Sequence, residues 1–143
     1  MPRALKRIGN RLGVGLYRRL NGRYLFGNNG VILLTAPGRR SGVPRSTPVQ
    51  SIETPAGLLV WGTGAGAKSD PDWFRNLRAA TPVEVQRGAT RYRARPRELL
   101  GPERDEAWTN VILAQRPAVE RYARRAGRTI PVALLEPLDA SLR

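Results

Sequence analysis

The chain contains no cysteine and no histidine. The first absence excludes disulfides, thiolate nucleophiles and zinc clusters; the second removes the commonest general base and metal ligand. Any redox or transfer chemistry must then be supplied by a bound cofactor, and no metal site is expected. Long apolar runs are also missing. No stretch approaches the roughly 18 residues of a membrane span, and Arg11, Arg18 and Arg19 interrupt the place where a signal peptide would carry its apolar centre. A cytoplasmic location is the resulting expectation. Lysine is confined to Lys6 and Lys68, and no acidic residue precedes Glu53.

What the chain does contain is arginine. The formal net charge is +14 over 143 residues, a length suited to one domain with a real core. Arg3, Lys6, Arg7, Arg11, Arg18, Arg19, Arg23, Arg39, Arg40 and Arg45 make the N-terminal third purely cationic. Nucleic acid, an anionic membrane face or a multiply anionic small molecule would each suit such a surface, as would arginine-rich composition without purpose. Nucleic acid is the unlikely partner, because no recognition motif is present and the arginines do not alternate with aromatics.

Along the chain, Leu5, Ile8, Leu12, Leu16 and Leu20 recur at helical spacing with basic residues around the remainder, predicting an amphipathic helix within residues 1–29. Such a helix packs on its own domain or lies on a membrane surface. The second part, residues 30–143, reads as the folded domain. Val31 to Thr35 predicts a buried strand that runs into Gly38-Arg39-Arg40-Ser41-Gly42. Glycines flanking two cations and a hydroxyl suit a phosphate-holding loop, and equally an ordinary solvated turn. Arg45 to Glu53 and Leu58 to Thr63 predict a hairpin, followed by the glycine-rich stretch Gly62 to Ala67. Asp70 is expected to cap a short helix with Pro71 at its first position, and Trp73, Phe74 and Leu77 on its apolar face.

A second hairpin follows, Val83 to Gln86 and Arg91 to Arg97, with one strongly basic face. Helices are expected from Pro102, with Trp108, Val111 and Ile112 buried, and from Pro117, including Val119 and Tyr122. Thr129 to Leu135 predicts a last strand, which Pro131 restricts to an edge or to a strand start. Hairpins with helices gathered between them indicate an antiparallel α+β domain, and a small barrel is its natural closure.

Several segments then carry a resemblance. Leu33 to Gly42, Pro44 to Pro48, Asp70 to Ala79, Val83-Glu84-Val85 and Arg128 to Val132 stand in an order and spacing that resembles the deazaflavin-dependent nitroreductases. The resemblance spans about residues 30 to 135. It implies a split β-barrel related to the FMN-binding barrels, with reduced coenzyme F420 as hydride donor; FMN on the same barrel is the alternative cofactor. It further implies that Arg39, Arg40 and Ser41 hold the coenzyme phosphate, with the anionic tail along further arginines. Thr63 and Gly64 would contact the deazaflavin edge, and Pro48, Pro71, Asp72, Trp73 and Asn76 would shape the cleft, although core packing suits Trp73 at least as well. Tyr122 would face the acceptor and, with Thr63, assist its reduction. Departures from the family pattern, Gln50 in place of a tyrosine and Arg116 and Val119 beside a lone Tyr122, favour a quinone or another conjugated electrophile over nitroimidazoles.

Overall fold

The computed structural model describes residues 30–138. The helix expected around Leu5 to Leu20, and with it the boundary at residue 29, lies outside the described residues. Seven strands, β1 (Val31–Pro37), β2 (Pro44–Gln50), β3 (Ile52–Thr54), β4 (Gly57–Trp61), β5 (Val83–Arg87), β6 (Thr90–Leu99) and β7 (Val132–Pro137), form one sheet in the order β2-β1-β5-β6-β7-β4-β3. Every pairing is antiparallel.

The strand expected over Arg45 to Glu53 is in fact two strands, β2 and β3, separated by Ser51. They occupy opposite edges of the sheet. Laid flat, seven strands at about 4.8 Å spacing would hold those edges about 29 Å apart, whereas one residue reaches at most about 3.6 Å. The sheet must therefore curl until its edges meet at Ser51. There the Ser51 N–H and hydroxyl both donate to the Gly30 carbonyl, at 2.8 and 2.6 Å. β6 accommodates the same curvature by changing partner along its length: Ala94 is opposite Val83 of β5 and also Pro137 of β7. The result is a split antiparallel barrel with flanking helices, the architecture that the resemblance implies.

Alternation along the strands divides the core in two. Leu58 and Val60 of β4, Ala133 and Leu135 of β7, Ile32 and Leu34 of β1 and Val83 and Val85 of β5 face the barrel interior. Helix α1 (Asp72–Ala79) adds Phe74 and Leu77 to that cluster. The intervening residues, Leu59 and Trp61, Val132 and Leu134, form a second cluster on the outer face with Ile112, Val119 and Ala126. Ile112 comes from the π-helical segment Ala107–Ile112 that continues α2 (Gly101–Glu106) into a last turn α3 (Leu113–Gln115), and Val119 and Ala126 come from α4 (Val119–Ala126). Arg104 fixes this layer by donating twice to the Ile130 carbonyl, at 3.1 and 2.7 Å, with its guanidinium 5.0 Å from the Trp108 ring.

Ile112 is fully buried as expected, whereas Trp108 and Val111 are only partly buried and pack at the rim of the cluster. Gly127 closes α4 in the left-handed conformation. Pro131 stands before a strand start, but β7 is central, not an edge. Pro44 and Pro48 occupy β2, an edge strand, where a missing N–H is tolerated.

Candidate functional site

Residues 38–43 connect β1 to β2 as a hairpin loop. Much of its backbone is satisfied internally: Gly38 N–H donates to the Val43 carbonyl and Gly42 N–H to the Gly38 carbonyl, both at 2.8 Å, while Val43 N–H donates to Ser41 Oγ at 3.1 Å. Gly42 has φ +74°, which favours glycine over any residue with a Cβ. Arg39 is also committed. Its backbone N–H and its Nη1 both donate to Asn76 Oδ1, at 3.1 and 2.9 Å, and Nη2 reaches Asp72 Oδ1 at 3.4 Å. Asn76 is buried, so its amide oxygen needs donors, and the loop supplies them.

Arg39 therefore docks the loop on α1. Arg40 is exposed and makes no hydrogen bond or ion pair among the described residues, and the backbone N–H groups of Arg40 and Ser41 are likewise without partners there. A guanidinium, two adjacent N–H groups and a hydroxyl whose proton is free to donate make a donor set suited to a phosphate.

The glycine-rich loop meets the start of the same helix, near Pro71 and Phe74. Asp70, expected as the cap of α1, does not cap it; the N-cap is Pro71, and no side chain bonds the first turn. The Asp70 carboxylate instead takes Arg128 Nη1 at 2.7 Å and Arg78 Nη1 at 2.8 Å. A second-turn arginine on α1 and one beyond α4 outcompete the local amides because charged partners make the stronger bonds. Arg78 also grips Glu98 of β6 with two bonds, at 2.8 and 3.0 Å, and its pKa is raised chiefly by that carboxylate. Arg128 donates further to the carbonyls of Gly62, Thr63 and Ala67, at 3.1, 3.2 and 3.1 Å.

Within this loop Gly64, Ala65 and Gly66 all have positive φ, at 56°, 56° and 89°. For Ala65 this conformation costs about 1–2 kcal/mol, a strain that persists because both ends of the turn are held. A Cβ on Gly66 would lie 2.5 Å from Arg125 Cδ, so the stem of that α4 residue covers the loop directly. Tyr122 sits three residues earlier on the same flank of α4, 43% exposed, its phenol without a partner among the described residues. The Thr63 hydroxyl is also unengaged there, and Thr63 and Gly64 donate no backbone bond.

The fold thus gathers Arg39, Asp72 and Asn76 at one junction, and Thr63, Gly64 and Pro71 at another, with α1 common to both. Pro71 lies under the glycine loop, its Cδ 3.1 Å from where a Gly62 Cβ would stand. Trp73 meets Phe74 edge to face at 5.4 Å and packs on the interior cluster. Pro48 pairs opposite Leu33 in β2, away from the loop tip. Val119 is a core residue. Arg78 and Arg128 lie in segments that carry the resemblance but were given no site role, since their partners lie 20 and 58 residues away. Among the described residues no group of three or more acidic residues could hold a metal ion.

The basic face expected on the second hairpin is partly neutralised. Arg95 and Arg97 approach Glu136 at 3.8 and 3.4 Å, Arg97 also holds Glu103 at 2.8 Å, and Arg87 holds Glu53 at 2.7 Å. The Arg87 bond keeps the Glu53 carboxyl below the usual carboxylate range.

A split antiparallel barrel with an unpaired guanidinium on one loop and a donor-lined glycine turn is a frame suited to an anionic cofactor. Comparison with known proteins makes this specific. A sequence model of the F420H(2)-dependent quinone reductases matches residues 9–137, and the chain belongs to that family. It is similar to an F420H(2)-dependent quinone reductase of Mycobacterium tuberculosis, 28% identical over 130 residues that cover 87% of each chain. Among solved structures, an F420-H2 dependent reductase is 29% identical with a TM-score of 0.66, covering 75% of this chain and 94% of its own. A domain-swapped dimer is 25% identical with a TM-score of 0.69, covering 88% and 95%. The protein is accordingly an oxidoreductase whose cofactor is reduced F420, in agreement with the sequence resemblance.

Proposed function

We propose that the protein passes a hydride from reduced F420 to a quinone in the cleft between the basic loop, the N-terminal half of α1 and the glycine turn. The observation that carries this reading is the pattern of unspent donors: Arg40, the N–H groups of Arg40 and Ser41, and those of Thr63 and Gly64, all in a chain of the F420H(2)-dependent family. Bound F420 supplies the hydride, two electrons at a time, so the chain needs no nucleophile. Arg40 and Ser41 would hold the phosphate, with Arg39 anchoring their loop to Asn76 and Asp72. Thr63 and Gly64 would meet the deazaflavin edge. Pro71 would set the floor of the turn and Trp73 its packing, while Pro48 would stiffen the β2 wall. Tyr122, with the Thr63 hydroxyl, would align the acceptor and support the negative charge that develops on its oxygen.

Anaerobic mixing of the protein with reduced F420 and a water-soluble quinone tests this: oxidised F420 should form at a rate proportional to protein and should not form with quinone withheld. A rate equal to that of the protein-free mixture sinks the reading.

Peripheral contact with an anionic membrane face on the cytoplasmic side extends the proposal. The Leu5, Ile8, Leu12, Leu16 and Leu20 stripe with its arginines supports it, as does the lipid solubility of many quinones. Co-sedimentation with anionic vesicles should be strong for the full chain and weak for a chain beginning at Gly30. Equal sedimentation rules the segment out as the anchor. No helix among the described residues is long and apolar enough to cross a membrane.

A further inference from the structure

Arg128 is distant in sequence from the basic loop, the glycine turn and α1, yet its guanidinium is heavily engaged beside them. Nη1 takes the Asp70 carboxylate, Nη2 is shared between the Gly62 and Thr63 carbonyls, and Nε takes the Ala67 carbonyl. Its side chain is 16% exposed, and Arg78 holds Asp70 from the other side. A planar trans peptide points its carbonyl and its N–H in opposite directions. With the carbonyls of Gly62 and Thr63 drawn toward Arg128, the N–H groups of the same two peptide units, which belong to Thr63 and Gly64, must face the other way. Those two lack acceptors among the described residues, as does the Ala65 N–H, whereas the Gly62 N–H is spent on the Pro131 carbonyl at 3.1 Å and the Thr63 carbonyl also accepts from the Gly66 N–H at 3.0 Å.

We infer that Arg128 is a positioning residue for hydride transfer: it fixes the orientation of the Thr63 and Gly64 amides so that both donate to the coenzyme. A cation on the carbonyl side also polarises each peptide and strengthens its N–H as a donor. The fork geometry is what matters. A lysine keeps the charge opposite Asp70 but cannot serve three carbonyls and a carboxylate from fixed directions. The inference rests on the proposed placement of F420 beside the glycine turn.

The test uses the full chain and oxidised F420, read by proton–nitrogen correlation spectra and by a binding titration. In the native protein the Thr63 and Gly64 amide signals should move on addition of coenzyme while that of Gly62 holds still. In Arg128→Lys the same two signals should already be displaced before any coenzyme is added, and coenzyme affinity should fall about tenfold, the loss of one good charge-supported contact. Native-like amide positions and native affinity in Arg128→Lys overturn the inference. So do Thr63 and Gly64 signals that ignore bound coenzyme in the native protein, a result that needs no variant to fold and leaves the assigned function standing. Absence of any coenzyme binding by the native protein would instead overturn both.

Discussion

At the scale of single residues, the sequence presents Arg39 and Arg40 as equivalent, adjacent cations in one loop. The fold separates them. Arg39 has its backbone and side chain bound to Asn76 and Asp72, while Arg40 has no partner among the described residues. Replacing Arg40 with Ala should weaken F420 binding by about 1.5–3 kcal/mol, roughly ten- to a hundredfold, with no change in thermal stability. Arg39→Ala should lower the melting temperature as well, since buried Asn76 Oδ1 loses its charged donor and keeps only the backbone N–H of residue 39. Arg93→Ala on the second hairpin should change affinity little. Calorimetric titrations at two salt concentrations would check the rank order, because a diffuse attraction fades for all arginines alike and a specific contact does not. Equal affinity for all three variants would remove the phosphate assignment. Sequence reasoning could offer this loop as an anion holder beside the ordinary turn, but not which arginine is occupied, because the acceptor Asn76 lies 37 residues away.

At the scale of elements, most of the fold was legible and its breaks were not. The β5–β6 hairpin, the limits of α4 and the position of α1 follow from alternation, helical spacing and the Pro and Gly positions that bound them. The β2–β3 break at Ser51 did not show, since Arg45 to Glu53 contains no glycine, and its bend arises from the tertiary need to join two sheet edges. The Asp70 cap failed for a related reason: a local amide competes poorly with two guanidiniums, Arg78 from the second turn of the same helix and Arg128 from beyond α4. In the proposed reading the element that bears most on turnover is α4, which covers the glycine turn with Arg125 and carries Tyr122 one turn earlier on the same flank. Its exposed phenol stabilises no core contact in the second cluster. Tyr122→Phe should therefore leave the melting temperature and F420 affinity unchanged and lower turnover by roughly 10²-fold, the lower end for a general acid. Native turnover would reduce this tyrosine to surface, and an equal fall in coenzyme affinity would place it against the coenzyme instead of the acceptor.

At the scale of the whole molecule, the barrel puts both donor loops against one short helix, although residues 38–43 and 62–67 come from opposite sides of the sheet. This convergence is what the curl at Ser51 accomplishes, and it is invisible to any local pattern. The charge follows the same division: Arg95 and Arg97 on β6 are met by Glu103 and Glu136, and Glu98 there holds Arg78, whereas the cation at the tip of the β1–β2 loop is not matched among the described residues. A chain built to bind polyanions along its whole surface would have left those β6 guanidiniums free. The central claim, that this convergence is an F420 site, is tested most directly by titrating the purified protein with oxidised F420 and, in parallel, with FMN. The account predicts one saturable F420 site per chain, weakened in Arg40→Ala, and much weaker FMN binding; FMN bound as tightly as F420, or F420 affinity untouched in Arg40→Ala, would contradict it.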